Sequence, residues 1–201
     1  MLDQPVRKLI DPPLNAAANR FPEGISANSI TITGFFFGIL SFFAILEGQF
    51  TLALVFLALN RLCDGLDGAV ARRHKPSDLG AYLDIVADFL IWALLPLGFV
   101  LHDDRNALAA AVLLSSFAMS MTVFLAFAML AEKRGLSSEA QGKKGFYYLA
   151  GLAEGTETIA FFALVMLLPG LFIPAALVFA GFVYLSVLGR LIVCINQLRE
   201  G

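Results

Sequence analysis

The chain has 201 residues, 59% hydrophobic and only 15% charged, with a mean hydropathy of +0.80. Soluble domains carry roughly 25% charged residues, so this composition points to a polytopic membrane protein and away from a globular domain. The net charge of −2 leaves no basic face for nucleic acid. Cys63 and Cys194 both fall in apolar stretches, a pattern that fits neither a disulfide framework nor a thiolate metal site.

Residues 1–22 lack the apolar core and small-residue cleavage site of a secretory signal. Leu2, Val6, Leu9 and Ile10 follow a helical period, and Asp11 followed by Pro12 reads as the start of a further helix. This segment is expected to lie on the membrane as an interfacial amphipathic helix. Six apolar stretches follow at 30–46, 51–72, 78–101, 106–131, 146–169 and 173–195, each close to the ~20 residues that a span requires. The expected fold is all-α: a polytopic integral membrane protein with six transmembrane helices plus the N-terminal interfacial helix. The whole chain, 1–201, reads as a single domain, with the six-helix region covering 28–198.

Basic residues give the orientation. Arg7, Lys8 and Arg20 precede the first span, Arg72, Arg73 and Lys75 follow the second, and Lys133, Arg134, Lys143 and Lys144 follow the fourth. Arg190 and Arg199 lie near or beyond the end of the sixth. The alternate connections, 47–50, 102–105 and 170–172, contain only Arg105. The positive-inside rule then puts both termini in the cytoplasm.

Against this apolar background, four aspartates stand out: Asp64 and Asp67 in the second span, Asp84 and Asp88 in the third. A charge near the bilayer centre costs about 2.5 kcal/mol or more, so intramembrane carboxylates read as functional and call for cationic partners. At ~1.5 Å per residue, Asp67 and Asp64 lie roughly 8 and 12 Å from the cytoplasmic end of their span, and Asp84 and Asp88 roughly 9 and 15 Å from theirs. Spacings of i,i+3 and i,i+4 keep each pair on one helix face. Two antiparallel helices thus present four carboxylates at one level. Oxygen-only ligation suits a hard cation, Mg²⁺ or Mn²⁺, and four carboxylates can hold two ions that clamp a diphosphate. Gly65, Gly68, Ala69, Ala71, Gly80 and Ala81 keep the surrounding surface small, and Arg72 can present its planar fork to a phosphate.

The pattern Asp64-x₂-Asp67-Gly68-x₂-Ala71-Arg72-x₇-Gly80-x₃-Asp84-x₃-Asp88 resembles the signature of the CDP-alcohol phosphotransferases at every fixed position. Chain length and six spans agree with that family. The resemblance implies a transferase in phospholipid biosynthesis: an alcohol hydroxyl attacks the phosphorus of a CDP-linked donor, most often CDP-diacylglycerol, and CMP leaves. It implies Asp64, Asp67, Asp84 and Asp88 as metal ligands, with Asp88 also deprotonating the acceptor. Gly68, Ala71, Arg72 and Gly80 match positions framing the CDP moiety, and Asn28 and Thr31 resemble an Asn-x-x-Thr near the cytidine, although Asn28 also reads as a helix N-cap. A homodimer is implied by the resemblance alone.

Other readings stand beside this one. A CDP-choline or CDP-ethanolamine type enzyme would take a lipid acceptor, an intramembrane prenyltransferase also uses Asp-rich helices, and intramembrane acids can line a cation or proton path. Glu154 and Glu157 lie on one face of the fifth span at a similar depth, and are expected either to line an acceptor pocket or to form an ion pair with Arg61 or Arg190. Arg190, Lys143 and Lys144 could bind a phosphorylated acceptor or simply follow the positive-inside rule. Arg61, one turn before Asp64, reads as an intrahelical partner. His74 and His102 read as solvated loop residues, and Trp92 and the Phe runs as packing or lipid-facing groups.

Overall fold

Residues 3–22, 24–74, 77–134 and 154–199 are described by a computed structural model. The first helix, α1 (Asp3–Ala18), runs straight through Pro12 and Pro13 rather than restarting at Asp11. A proline strips the hydrogen bond from the carbonyl four residues back. Here Pro12, Pro13, Lys8 and Leu9 are all exposed, so water can satisfy the carbonyls of Lys8 and Leu9. Leu14 and Ala18 form the opposite, buried face and pack on Ala69 and Val70 of α3 (Phe50–His74).

Ser26 caps α2 (Ala27–Leu46), its hydroxyl accepting from the Ser29 N–H at 3.1 Å. Asn28 therefore lies inside the first turn and is not the cap. Helix α2 packs on both α3 and α4 (Asp78–His102) through small residues. A Cβ at Gly34 would sit 2.8 Å from the Cβ of Cys63, and one at Gly38 would run into the Ile91 side chain. Such Gly-x₃-Gly faces let helices approach where lipid removes the hydrophobic drive to associate. Polar groups then bridge the contact: Asn60 Nδ2 donates to the Gly34 carbonyl at 2.8 Å, and Ser41 Oγ to the Ala53 carbonyl at 2.8 Å.

The α2–α3 turn needs Gly48, whose φ of 72° lies in the left-handed region and whose absent Cβ would stand 2.8 Å from the His102 ring. His102 ends α4 rather than floating in a loop; its Nδ1 lies 3.2 Å from the Leu46 carbonyl and its ring meets Phe50 edge-on at 5.1 Å. The side chain of His74 lies outside the described residues. Beyond α4, Asp103 accepts from both the backbone and the side chain of Arg105, which holds its carboxyl below the ordinary range.

A short 3-10 turn leads into α5 (Ala107–Lys133), which pairs with the last helix, α7 (Phe172–Arg199). Between them in the chain stands α6 (Gly155–Leu167), followed by a second 3-10 turn at Pro169–Leu171. Aromatic rings tie these helices to α4 and to one another. Trp92 stacks on Phe162 at 5.6 Å, Phe161 on Phe179 at 4.7 Å, and Phe99 on Phe172 at 4.3 Å. Trp92 and the Phe161–Phe162 pair thus serve packing.

The described residues contain seven α-helices and no strand. Among the described residues four stretches are long and apolar enough to cross a membrane: Ala27–Leu46, Asp78–His102, Asp104–Lys133 and Pro169–Arg199. The protein is a polytopic membrane protein. Helix α3 has the length but carries Arg61, Asp64, Asp67, Arg72 and Arg73, and α6 shows 13 described residues, with 146–153 of the expected fifth span outside them.

Candidate active site

Helices α3 and α4 bring the aspartates together. Asp64, Asp84 and Asp88 each offer a carboxylate oxygen within 4.8 Å of the others. Asp67 is set deeper, 6% exposed, and its Oδ2 accepts from Thr31 Oγ1 at 2.6 Å. All four line one narrow cavity with Thr31, Gly34, Phe35, Asn60, Arg61 and Ala87. Helical period explains the assembly: i,i+3 on α3 and i,i+4 on α4 turn both pairs toward the same gap, and α2 packs against both helices.

Charge at this site is unbalanced. Arg61 Nη2 contacts Asp88 Oδ1 at 2.7 Å, and its Nη1 lies 3.7 Å from Asp64 Oδ2. Among the described residues Arg61 makes the direct contacts and Arg7 adds a more distant positive charge, so four carboxylates still outnumber the cations, an oxygen-only donor set that fits a hard divalent cation. Softer metals that prefer sulfur or imidazole find no such ligand in the cluster.

The motif's small residues have specific neighbours. A Cβ at Gly80 would stand 3.1 Å from both Asn28 Oδ1 and the capping Ser77 Oγ, so Asn28 and Gly80 meet where α2 and α4 begin. A Cβ at Gly68 would lie 3.4 Å from Arg72 Nη1, so the glycine leaves room for that arginine beside its own helix. Arg72 Nη2 donates to Asn15 Oδ1 of α1 at 3.2 Å, and Arg73 donates to the Ala18 carbonyl. A Cβ at Gly65 would press on Leu14 Cδ1 at 2.6 Å. Helix α1 thereby covers the side of α3 that carries Gly65, Arg72 and Arg73, while Ala71 is half-buried within the same turn.

Residues expected on the acceptor side separate. Glu154 is buried and forms the N-cap of α6; Glu157 occupies N3, and its carboxylate accepts from the Glu154 N–H at 3.1 Å, a capping box. Arg190 Nη1 reaches Ser120 Oγ at 3.1 Å across the α5–α7 pair. Lys143 and Lys144 lie outside the described residues. A separate recess of about 460 Å³, lined by Gly48–Leu52, Met166, Leu167 and Pro169, opens at the opposite end of α3 from the motif.

Asn60 is the polar residue that pattern reading passes over. It buttresses Arg61 by accepting from its Nε at 2.8 Å. The available signal is an adjacent Asn60–Arg61 pair inside the apolar run 52–63, a cost with no local explanation.

Fold and site together define a polytopic membrane protein built around an all-oxygen carboxylate cluster. The chain belongs to the CDP-alcohol phosphatidyltransferase family, whose model matches residues 25–194, and it is accordingly an enzyme that transfers substituted phosphate groups. It is 42% identical over 192 residues to inner membrane protein YnjF of Escherichia coli K12, covering 94% of this chain and 93% of that one. A phosphatidylcholine synthase of Pseudomonas aeruginosa is 29% identical over 99 residues, 44% of this chain and 42% of that protein. Among solved structures, Mycobacterium tuberculosis phosphatidylinositol phosphate synthase with CDP-DAG bound has the same fold, with a TM-score of 0.61 at 20% identity over 94% of this chain and 92% of that one.

Proposed function

We propose that the protein transfers a phosphatidyl group from CDP-diacylglycerol to a polar alcohol, with release of CMP, in a reaction that depends on Mg²⁺ or Mn²⁺. The convergence of Asp64, Asp84 and Asp88 within 4.8 Å, on the scaffold of the matched family, is the observation that carries this reading. The similar mycobacterial synthase holds CDP-DAG, and phosphatidylcholine synthases stand among the relatives; both support a CDP-linked lipid donor.

Asp64, Asp67, Asp84 and Asp88 are the residues to hold the metal, with two ions suiting four carboxylates. When bound, the metal neutralises the diphosphate and stabilises charge on the attacking and leaving oxygens. Asp88 accepts the proton of the acceptor hydroxyl. The acceptor oxygen forms a bond to the β-phosphorus, the bond from that phosphorus to the CMP oxygen breaks, and CMP leaves with the electron pair. Asn28, Gly68, Ala71, Arg72 and Gly80 frame the nucleotide, and the missing side chains at Gly68 and Gly80 admit it between α3 and α4. Thr31 contributes by holding Asp67 in place. Positioning and charge neutralisation are what such a transfer requires of a protein.

In this reading α3 and the region ending in α6 complete six spans, α1 lies in the membrane interface, and the site and both termini face the cytoplasm, as the distribution of basic residues favours. The donor then enters from the lipid and the acceptor from water. Glu154 and Glu157 face a cationic or polyhydroxyl acceptor, while Arg190, Lys143 and Lys144 suit a phosphorylated one. The assembly is a homodimer. Purified protein supplied with CDP-diacylglycerol and a panel of cationic, neutral and phosphorylated alcohols should release CMP with at least one of them. Release only with CDP-choline or CDP-ethanolamine and diacylglycerol would reverse donor and acceptor, and cation flux without CMP would make the carboxylates a transport path.

A further inference from the structure

No step of the proposed transfer uses Arg61, yet its guanidinium is the most firmly held cation beside the carboxylates. Its side chain is 13% exposed and is engaged on every side. Nε donates to Asn60 Oδ1 at 2.8 Å, Nη2 to Asp88 Oδ1 at 2.7 Å, and the guanidinium carbon sits 4.7 Å from the centroid of the Trp92 ring. Asn60 is itself anchored to the Gly34 carbonyl at 2.8 Å. A continuous relay therefore runs from the backbone of α2, through α3, to a carboxylate on α4. An intrahelical partner of Asp64 would need none of this, and that contact, at 3.7 Å, is the longer of the two ion pairs.

We propose that Arg61 is a positioning residue that fixes the Asp88 carboxylate through Oδ1 and so presents its other oxygen to the metal and the acceptor. This rests on the reading of Asp88 as the acceptor-activating residue. Only an arginine fits the role. The planar fork reaches Asn60 and Asp88 together while stacking on Trp92, whereas a lysine supplies a point charge without the fork.

Full-length purified enzyme carrying R61Q is expected to lose 10- to 100-fold in kcat for CMP release, the range typical of residues that orient metal ligands. Its KM for CDP-diacylglycerol and its Mn²⁺ affinity, followed by electron paramagnetic resonance, should stay within threefold of wild type. R61K should give an intermediate kcat. Trp92 is the sole tryptophan in the chain, so its emission offers a readout independent of turnover. Mg²⁺ should change that emission in the wild type, because a divalent charge on the free Asp88 oxygen draws on the carboxylate that Arg61 holds and so alters the field of the guanidinium on the ring. The change should vanish in R61Q although Mn²⁺ still binds.

A kcat of R61Q within threefold of wild type overturns the inference, as does Mn²⁺ binding lost in step with kcat, which would make Arg61 a structural strut. If R61Q does not fold, R61K decides, and wild-type kcat in that variant overturns it. Wild-type protein that binds Mn²⁺ with the Trp92 response but releases no CMP defeats the proposed transfer and leaves the arginine's hold on the carboxylates standing. An active wild type with no Trp92 response defeats Arg61 alone.

Discussion

Thr31 Oγ1 donates a 2.6 Å hydrogen bond to Asp67 Oδ2, joining the first turns of α2 to the middle of the motif on α3. Both residues are buried, and the Thr31 hydroxyl orients the carboxylate together with the Gly68 backbone N–H. Residues that orient metal ligands commonly carry a 10–100-fold effect on metal affinity or activity. Thr31→Val, which keeps the shape and removes the hydroxyl, should raise the Mg²⁺ concentration needed for half-maximal CMP release by roughly 10-fold or more. Thr31→Ser should restore it. An unchanged Mg²⁺ requirement in the valine variant would return Thr31 to a purely nucleotide-facing role.

Helix α2 approaches α4 through Gly38, where an added Cβ would enter the space of the Ile91 side chain. Ile91 is fully buried and cannot swing out to solvent. Gly38→Ala should therefore destabilise the protein by ~1–3 kcal/mol, the usual cost of overpacking. Thermal unfolding in detergent measures the loss, and Gly38→Ala combined with Ile91→Val should recover part of it. Independent, additive losses in the pair would mean that the two residues do not share this contact.

The four aspartates and the orientation of each pair can be read from periodicity, because i,i+3 and i,i+4 spacings fix a helix face whatever the neighbours are. Period alone carries no information about which helix supplies the third wall. That information lies in Gly34, Gly38, Ser41 and Asn60, small or polar residues whose meaning depends on what approaches them. Arg61 shows the same limit: sequence distance favours Asp64, while the fold brings Asp88 closer. Around Pro12 and Pro13 the local stop signal is outweighed by exposure, since the freed carbonyls face water. Glu154 and Glu157 read as a mid-span face in the sequence, but the described part of α6 begins there, and the pair closes its N-terminus.

That capping box makes structure and specificity separable at Glu157. Glutamine also serves at N3 of a capping box, so Glu157→Gln should leave the melting temperature nearly unchanged. If the carboxylate contacts the acceptor, the same substitution should raise the acceptor KM about 10-fold, the scale of one charged hydrogen bond at ~1.5 kcal/mol. Steady-state kinetics at saturating donor distinguish the two. Unchanged acceptor KM and kcat would remove Glu157 from the acceptor site.

Arg72 bridges the motif and the amphipathic helix through Asn15. Arg72→Lys removes the fork that grips a phosphate and should raise the KM for CDP-diacylglycerol about 10-fold or more. Asn15→Ala should have a smaller effect of the same sign, because it frees the arginine without removing it. A donor KM insensitive to Arg72→Lys would place the diphosphate elsewhere in the cavity.

Asp88, in the presence of a divalent cation, is where the proposed chemistry is most directly tested. Wild-type protein, Mg²⁺, CDP-diacylglycerol and the best acceptor alcohol should release CMP in step with a new phospholipid. Chelation should stop the reaction, and restored Mg²⁺ or Mn²⁺ should restart it. Asp88→Asn, folded and monodisperse, should reduce release by several orders of magnitude, because the asparagine amide cannot take the acceptor's proton. CMP release by Asp88→Asn at the wild-type rate, or undiminished turnover in excess chelator, would contradict it.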